Sequence, residues 1–326
     1  MDHKTNSDQG AETNAGLQMS RPSLARVIAA ATRSLLIASS LFLVFTSLSF
    51  GMDFSTTRID PFGDGQVKKV AVLLKGEILP GDHERLIQFA VHNNIDLANE
   101  NFILSSPGGD VLEALKVGEL VKNLYVTVWV GPDTGQCASA CFIIFASAVS
   151  RHALAGLVGI HRPYVDRTQL RLLSPKNAEA QENKALLDAE NYLHQLRVPS
   201  YLVDKMFQHA SSEIYWLSNE DLVSELGTRP AWYEEFLIAR CGFDKEGEQQ
   251  YMRDPAAFGD VLHNMLIPVE QCGERLTQSE ALENYNRVAA RYGTRFTISH
   301  SSEISAERQP PARVPRQAPQ DTAPPG

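Results

Sequence analysis

From Val67 to Tyr164 short apolar runs alternate with segments whose apolar residues recur at helical spacing, and no other feature limits the fold as tightly. "VKKVAVLLKG", "NFILSS", "YVTVWV" and "ALAGLVGIHRPY" read as buried strands. Between them, "PGDHERLIQFAVHNN" reads as a helix. So does "PGGDVLEALKVGELVKNL", where Val111, Leu112, Leu115, Val117, Leu120 and Val121 fall at helical spacing. "CASACFIIFASAVS" reads as a third helix. Strands and helices in alternation predict an α/β fold with a largely parallel sheet and right-handed crossovers. In such sheets function gathers at the loops after the strand C-termini, here "SSPGG", "GPDTGQCAS" and "HRPY".

The flanks divide the chain further. Residues 1–52 form a leader, 53–66 a linker rich in Asp, Thr and Gly, and 67–228 the α/β domain. Within that domain "AEAQENKALLDAENYLHQL" predicts a long helix near 177–197. "SSEIYWLSNEDLVSELG" predicts a short strand, an N-cap at Ser218 with Asp221 three residues later, and a helix stopping at Gly227. Residues 229–298 read as a helical C-terminal segment without a chemical signature, and 299–326 as a disordered Pro-rich tail.

In the leader, Arg21, Arg26 and Arg33 precede an uncharged run from Ser34 to Gly51, with small residues at Ser47, Ser49 and Gly51. Basic flank, apolar stretch and small residues together resemble a secretory signal. At 18 residues the run also borders on the length of a membrane span, and it carries six Ser or Thr residues. A cleaved signal and a retained inner-membrane anchor both fit, with translation starting at Met1 or Met19. Either places the bulk of the chain in the periplasm, because the arginines lie on the N-terminal side.

Export puts the four cysteines where disulfides are permitted. Cys241 and Cys272 can pair with each other. A bridge between Cys137 and Cys141 is strained if the turn between them is regular helix. No CxxC or HExxH pattern supports zinc, so no metal is expected. A net charge of −9 argues against a nucleic-acid partner, and no Gly-rich phosphate loop suggests a nucleotide cofactor.

Three loop elements carry chemistry together. Ser106-Pro107-Gly108-Gly109 frees backbone N–H groups at a helix start, where they favour negative charge. Ser139 follows Gly135 at a strand-to-helix turn, and His161 ends an apolar strand in "GIHRP". Donors, nucleophile and base thus occur in that order at one sheet edge, the parts an acyl transfer needs.

The motifs "SPGG", "GQCAS" and "HRP" resemble those of ClpP-type serine peptidases of the ClpP/crotonase-like fold, most closely exported bacterial ClpP-like proteins. The intervals of 30 residues from Gly109 to Ser139 and 22 from Ser139 to His161 suit that pattern, which covers residues 67–228. The resemblance implies a spiral of ββα units with a helical C-terminal extension. It makes Ser139 the nucleophile, His161 the general base, and the N–H groups of Gly109 and Ala140 the oxyanion hole. The substrate becomes a peptide or protein, and the helix near 177–197 an oligomer-forming handle. No ATPase partner is expected in an ATP-poor periplasm. The acid of the family's triad aligns with Ile214, which cannot orient an imidazole; Glu213 beside it is the candidate third member, with Ser211 or Ser212 as substitutes. Two other readings follow: a catalytically weak or inactive envelope scaffold that binds partner proteins, and a Ser–Lys membrane-associated peptidase using Lys176 or Lys184. An acyl-CoA enzyme of the crotonase branch fits less well, because export removes it from the CoA pool.

Overall fold

The computed structural model describes residues 51–60, 69–133, 135–165, 170–210, 212–254, 256–257 and 259–297. The leader up to Phe50, the proposed alternative start at Met19, Ser211 and the tail from residue 298 lie outside them.

The main sheet has five strands: β1 (Asp53–Ile59), β2 (Lys69–Lys75), β3 (Asn101–Ser105), β4 (Thr127–Val130) and β6 (Ser150–Ala153). β2, β3, β4 and β6 run parallel, as strands joined by crossover helices must. β1 pairs antiparallel along the whole of β2, from Asp53 opposite Lys75 to Ile59 opposite Lys69. The segment read as a linker therefore begins with an edge strand. Its exposed Thr and Ser conceal it in the sequence, because only one side is covered. Helix α1 (Asp82–His92) follows β2, and α2 (Val111–Asn123) follows β3. Asp110 caps α2 by accepting the Glu113 N–H at 2.8 Å, a bond typically worth ~1 kcal/mol.

A second, three-stranded sheet holds β5 (Cys137–Ala138), β7 (Val158–Ile160) and β8 (Tyr215–Trp216), with β5 parallel and β8 antiparallel to β7. The stretch read as one helix from Cys137 is divided: Cys137 and Ala138 are strand, and α3 (Cys141–Ser147) starts after a turn. Every residue of α3 is buried, which explains a helix with no polar face. The two sheets meet at Ser106, whose N–H donates to Gln136 while its carbonyl accepts from Ala138.

Helix α4 (Pro175–Gln195) buries Ala185, Leu186, Ala189 and Leu193, and α5 (Ser200–Gln208) follows it. Beyond β8, Ser218 and Asp221 cap a short turn of helix reciprocally: the Ser218 N–H donates to Asp221 at 2.8 Å and the Asp221 N–H to Ser218 Oγ at 3.1 Å. That turn, Glu220–Glu225, is a π-helix rather than the α-helix expected. The C-terminal segment holds α6 (Ala231–Cys241), α7 (Lys245–Arg253) and α8 (Ile267–Ala289). Leu282, Tyr285 and Ala289 of α8 enter the same core as the sheet, so this helix and the α/β part share one apolar interior. A Cys241–Cys272 disulfide ties α6 to α8 with a Cα–Cα distance of 5.8 Å. No helix among the described residues is long and apolar enough to cross a membrane.

Candidate active site

The turn between β5 and α3 sets the site. Ser139 has φ +57°, a left-handed conformation that costs an L-residue roughly 1–2 kcal/mol. Its N–H donates to the Gly159 carbonyl at 2.9 Å, and Phe142 N–H returns to the Ser139 carbonyl at 2.9 Å. The left-handed residue ends β5 abruptly and starts α3, leaving one side chain at a sharp corner. A strained serine between strand and helix is a geometry associated with nucleophiles.

Cys137 and Cys141 bracket that corner and are joined in a disulfide, with Cα atoms 5.3 Å apart. On the sequence alone such a bridge is strained only if the turn between the cysteines is regular helix. Here one residue of positive φ separates strand from helix and turns the two cysteines toward each other. The pair is therefore a covalent clamp around Ser139.

The Ser-Pro-Gly-Gly turn lies directly against this corner. Gly108 has φ +97°, and a Cβ there would stand 2.6 Å from both the Ala138 carbonyl oxygen and the Ser139 Cβ, and 3.0 Å from the Ala140 nitrogen. Only glycine allows that approach. Ser106 Oγ accepts the Gly108 N–H at 3.1 Å, and the Gly108 carbonyl accepts from Ile78 N–H at 2.8 Å, fixing the turn from both sides. Among the described residues, neither the Gly109 nor the Ala140 N–H donates a backbone hydrogen bond. Of these two donors, Ala140 follows the serine directly, and Gly109 follows the glycine that presses on it.

His161 follows β7, the neighbour of β5, and is buried. Its Nδ1 lies 2.9 Å from the Arg162 carbonyl oxygen. A carbonyl can only accept, so Nδ1 carries the proton and Nε2 of the neutral ring is the free base. This is the tautomer a triad acid would impose. Among the described residues no carboxylate is hydrogen-bonded to His161. β7 pairs with β8 as Gly159 with Trp216 and Ile160 with Tyr215, so one further step brings Ile214 level with His161. A Cβ on Gly159 would meet Ile214 Cγ2, placing that side chain over the β7 end that carries His161. Glu213 is exposed and makes no described hydrogen bond to His161, its N–H donating to the Ala210 carbonyl at 2.9 Å. Ser212 is exposed.

Ser139 and His161 come to adjacent strands, yet no hydrogen bond joins them. Ser139 Oγ is buried and has no hydrogen-bond partner. An open depression of about 290 Å³ borders the corner, lined by Ser106, Pro107, Gln136, Ala138, Ile214 and Trp216. Lys176 and Lys184 sit on exposed positions of α4, Lys184 paired with Asp188, so neither is presented as a base.

Sequence reasoning passed over two participants. The Arg162 carbonyl has no sequence signature, because every residue carries one. Asp221 read as a cap only, but it also accepts from Tyr201 Oη at 2.8 Å and Tyr215 Oη at 3.0 Å. Burial alone would raise its pKa; the bonds from Ser218, Tyr201 and Tyr215 outweigh it and hold the carboxyl below its ordinary value. Asp221 thereby anchors β8, the strand that leads out of Ile214.

No protein-family profile matches the chain, and no curated protein does so. Among solved structures the chain is similar to a mutant ClpP1 from Listeria monocytogenes, with 19% identity, 49% of this chain and 88% of that chain covered, and a TM-score of 0.31.

Proposed function

We propose that the chain is an exported serine hydrolase of the ClpP-like kind, acting on peptides through an acyl-enzyme at Ser139. One observation carries this reading. The Ser-Pro-Gly-Gly turn touches a strained serine corner through Gly108, and neither the N–H of the next residue, Gly109, nor that of Ala140 donates a backbone hydrogen bond among the described residues.

The chemistry follows from these groups. Ser139 Oγ attacks the scissile carbonyl while His161 Nε2 takes its proton. The N–H groups of Gly109 and Ala140 receive the developing oxyanion, each worth ~3–4 kcal/mol of transition-state stabilisation. His161 then returns the proton to the leaving amine, and water releases the acyl group by the reverse sequence. The reaction requires Ser139 Oγ to reach Nε2, a contact this conformation does not make. The Arg162 carbonyl supplies orientation but not the full charge of a carboxylate, which predicts a slow enzyme. Assembly through α4 and action in the periplasm, or facing it from the inner membrane, belong to the same proposal; no ATPase partner does.

The test is labelling with a fluorophosphonate probe, with Ser139→Ala as the control. Labelling of folded wild-type protein at Ser139 supports the reading, and its absence at neutral and mildly alkaline pH overturns it. Two observations favour a second reading, a non-catalytic envelope scaffold: Ile214 level with His161, and the sequestered hydroxyl of Ser139. Failure to label in a well-folded protein would favour it.

A further inference from the structure

Where the described fold begins, the backbone runs against a carboxylate. Asp82, at the start of α1, is fully buried. Its Oδ2 accepts the Met52 N–H at 3.1 Å and the Leu79 N–H at 2.7 Å, and its Oδ1 meets the Arg85 guanidinium. Gly51 is pressed into the same place: a Cβ on it would stand 2.6 Å from Asp82 Oδ1 and also strike Arg85. Met52 is buried, with its side chain in the main core.

The sequence contributes a second, independent observation. Counted back from the Gly51–Met52 bond, positions −1 and −3 are Gly51 and Ser49, the small residues that export processing requires after an apolar run. We infer that the Gly51–Met52 bond is the processing site of the leader, and that Asp82 is the built receptor for the α-ammonium of Met52 that cleavage creates. The inference rests on the reading of the chain as exported.

The step balances simply. Water adds across the Gly51–Met52 amide under an export endopeptidase. The hydroxyl leaves with Gly51 as its carboxylate, and the nitrogen stays with Met52 and is protonated at neutral pH, below the ordinary α-amino pKa of ~7.7–8.0. Because Gly51 and Met52 are both buried, the cut precedes folding. The new ammonium keeps the Met52–Oδ2 contact and gains two protons, while loss of Gly51 opens the space beside Oδ1. A buried carboxylate calls for a cation. Arg85 supplies one now through its Nη2, which also donates to the Met52 carbonyl at 3.3 Å; its side chain is 43% exposed and can swing to solvent, releasing both contacts, when the ammonium arrives. A two-residue shift of the cut would leave Phe50 and Gly51 in place and no charge at Asp82.

The full chain is expressed in an export-competent bacterium, and the exported protein is analysed by N-terminal sequencing and intact mass. The expected product begins at Met52. An amine-acylating reagent should then modify that α-amino group at least ~10-fold more slowly in the folded protein than in urea. Asp82→Asn, made in the full chain, should remove the protection and lower the Tm by several degrees. If this variant does not fold, the wild-type protection still decides the matter. An exported chain cut at another bond, an uncut exported chain, or equally fast labelling with and without urea overturns the inference alone. A chain retained uncut in the cytoplasm overturns the export reading as well.

Discussion

His161 donates an Nδ1–H hydrogen bond to the carbonyl oxygen of Arg162, 2.9 Å away, and so is held as the tautomer that leaves Nε2 basic. A backbone dipole stands where a triad would have a carboxylate, while Ile214, one step beyond the Ile160–Tyr215 pair, is apolar. Orientation is retained and charge stabilisation is not. Ile214→Asp should therefore raise the rate of Ser139 acylation, on the order of ten- to a hundredfold. This is less than the ~10⁴ lost when a triad acid is replaced by an amide, because part of that loss reflects the wrong tautomer. Probe-labelling kinetics across pH 5–9 would measure it. An unchanged rate in a folded variant would mean that Ile214 does not face the imidazole.

Gly108→Ala should abolish labelling and destabilise the protein. The added methyl would sit 2.6 Å from the Ala138 carbonyl and the Ser139 Cβ, at a φ of +97°. Overpacking of this kind costs ~1–3 kcal/mol, and the left-handed backbone adds to it. Urea unfolding together with labelling would separate lost fold from lost site; a variant that labels at the wild-type rate contradicts the contact.

The Cys137–Cys141 clamp closes a loop of only a few residues, worth about 2 kcal/mol in chain entropy, whereas the longer Cys241–Cys272 loop is worth about 3–4 kcal/mol. The two should separate by readout. Cys241→Ala with Cys272→Ala should mainly lower Tm. Cys137→Ala with Cys141→Ala should lower labelling more than its smaller stability loss explains, because Ser139 keeps its left-handed turn under that clamp. Equal labelling after both changes would assign the first disulfide to stability alone.

Two half-buried groups give opposing pH dependences. Burial pushes the Glu100 carboxyl up to about 7, against the hydrogen bond from Asn101. The folded state then holds a proton that the unfolded state has lost, so this contribution is full below about pH 4.5 and disappears as pH rises towards 7. Burial pushes His152 down to about 4, against the attraction of Glu270; the ring lies stacked on Trp129 at 3.9 Å. There the unfolded state takes the proton first, so stability is lost as pH falls from about 6.5 towards 4. The two slopes partly cancel in the wild-type protein. Glu100→Gln should uncover the loss on acidification, and His152→Phe the loss on alkalinisation, each up to about 3 kcal/mol. Urea titrations between pH 4 and 7.5 would show both, and parallel profiles for all three proteins would refute the assignment.

Much of this fold was legible in the sequence because its parallel strands read as short apolar runs, β3 and β7 being buried along nearly their whole length, between segments of clear helical period. β1 was not, since an edge strand with exposed Thr and Ser has the composition of a linker. The single helix expected from Cys137 failed for a different reason. A run of small and apolar residues carries helix periodicity whether or not one residue within it turns left-handed, and Ser139 does.

By itself the sequence determined the alternation of strand and helix, the order of Gly109, Ser139 and His161, and the isoleucine where an acid is wanted. These are matters of local period and spacing along one dimension. The tertiary structure alone decided that Cys137 closes on Cys141, that Gly108 presses on Ser139, that Ile214 comes level with His161, and that Arg162 offers its carbonyl to the imidazole. Each of these depends on a backbone angle at one residue or on the register between distant strands. Neither leaves a period in the sequence, because the same side chains are compatible with several turns and registers until the core closes around one of them.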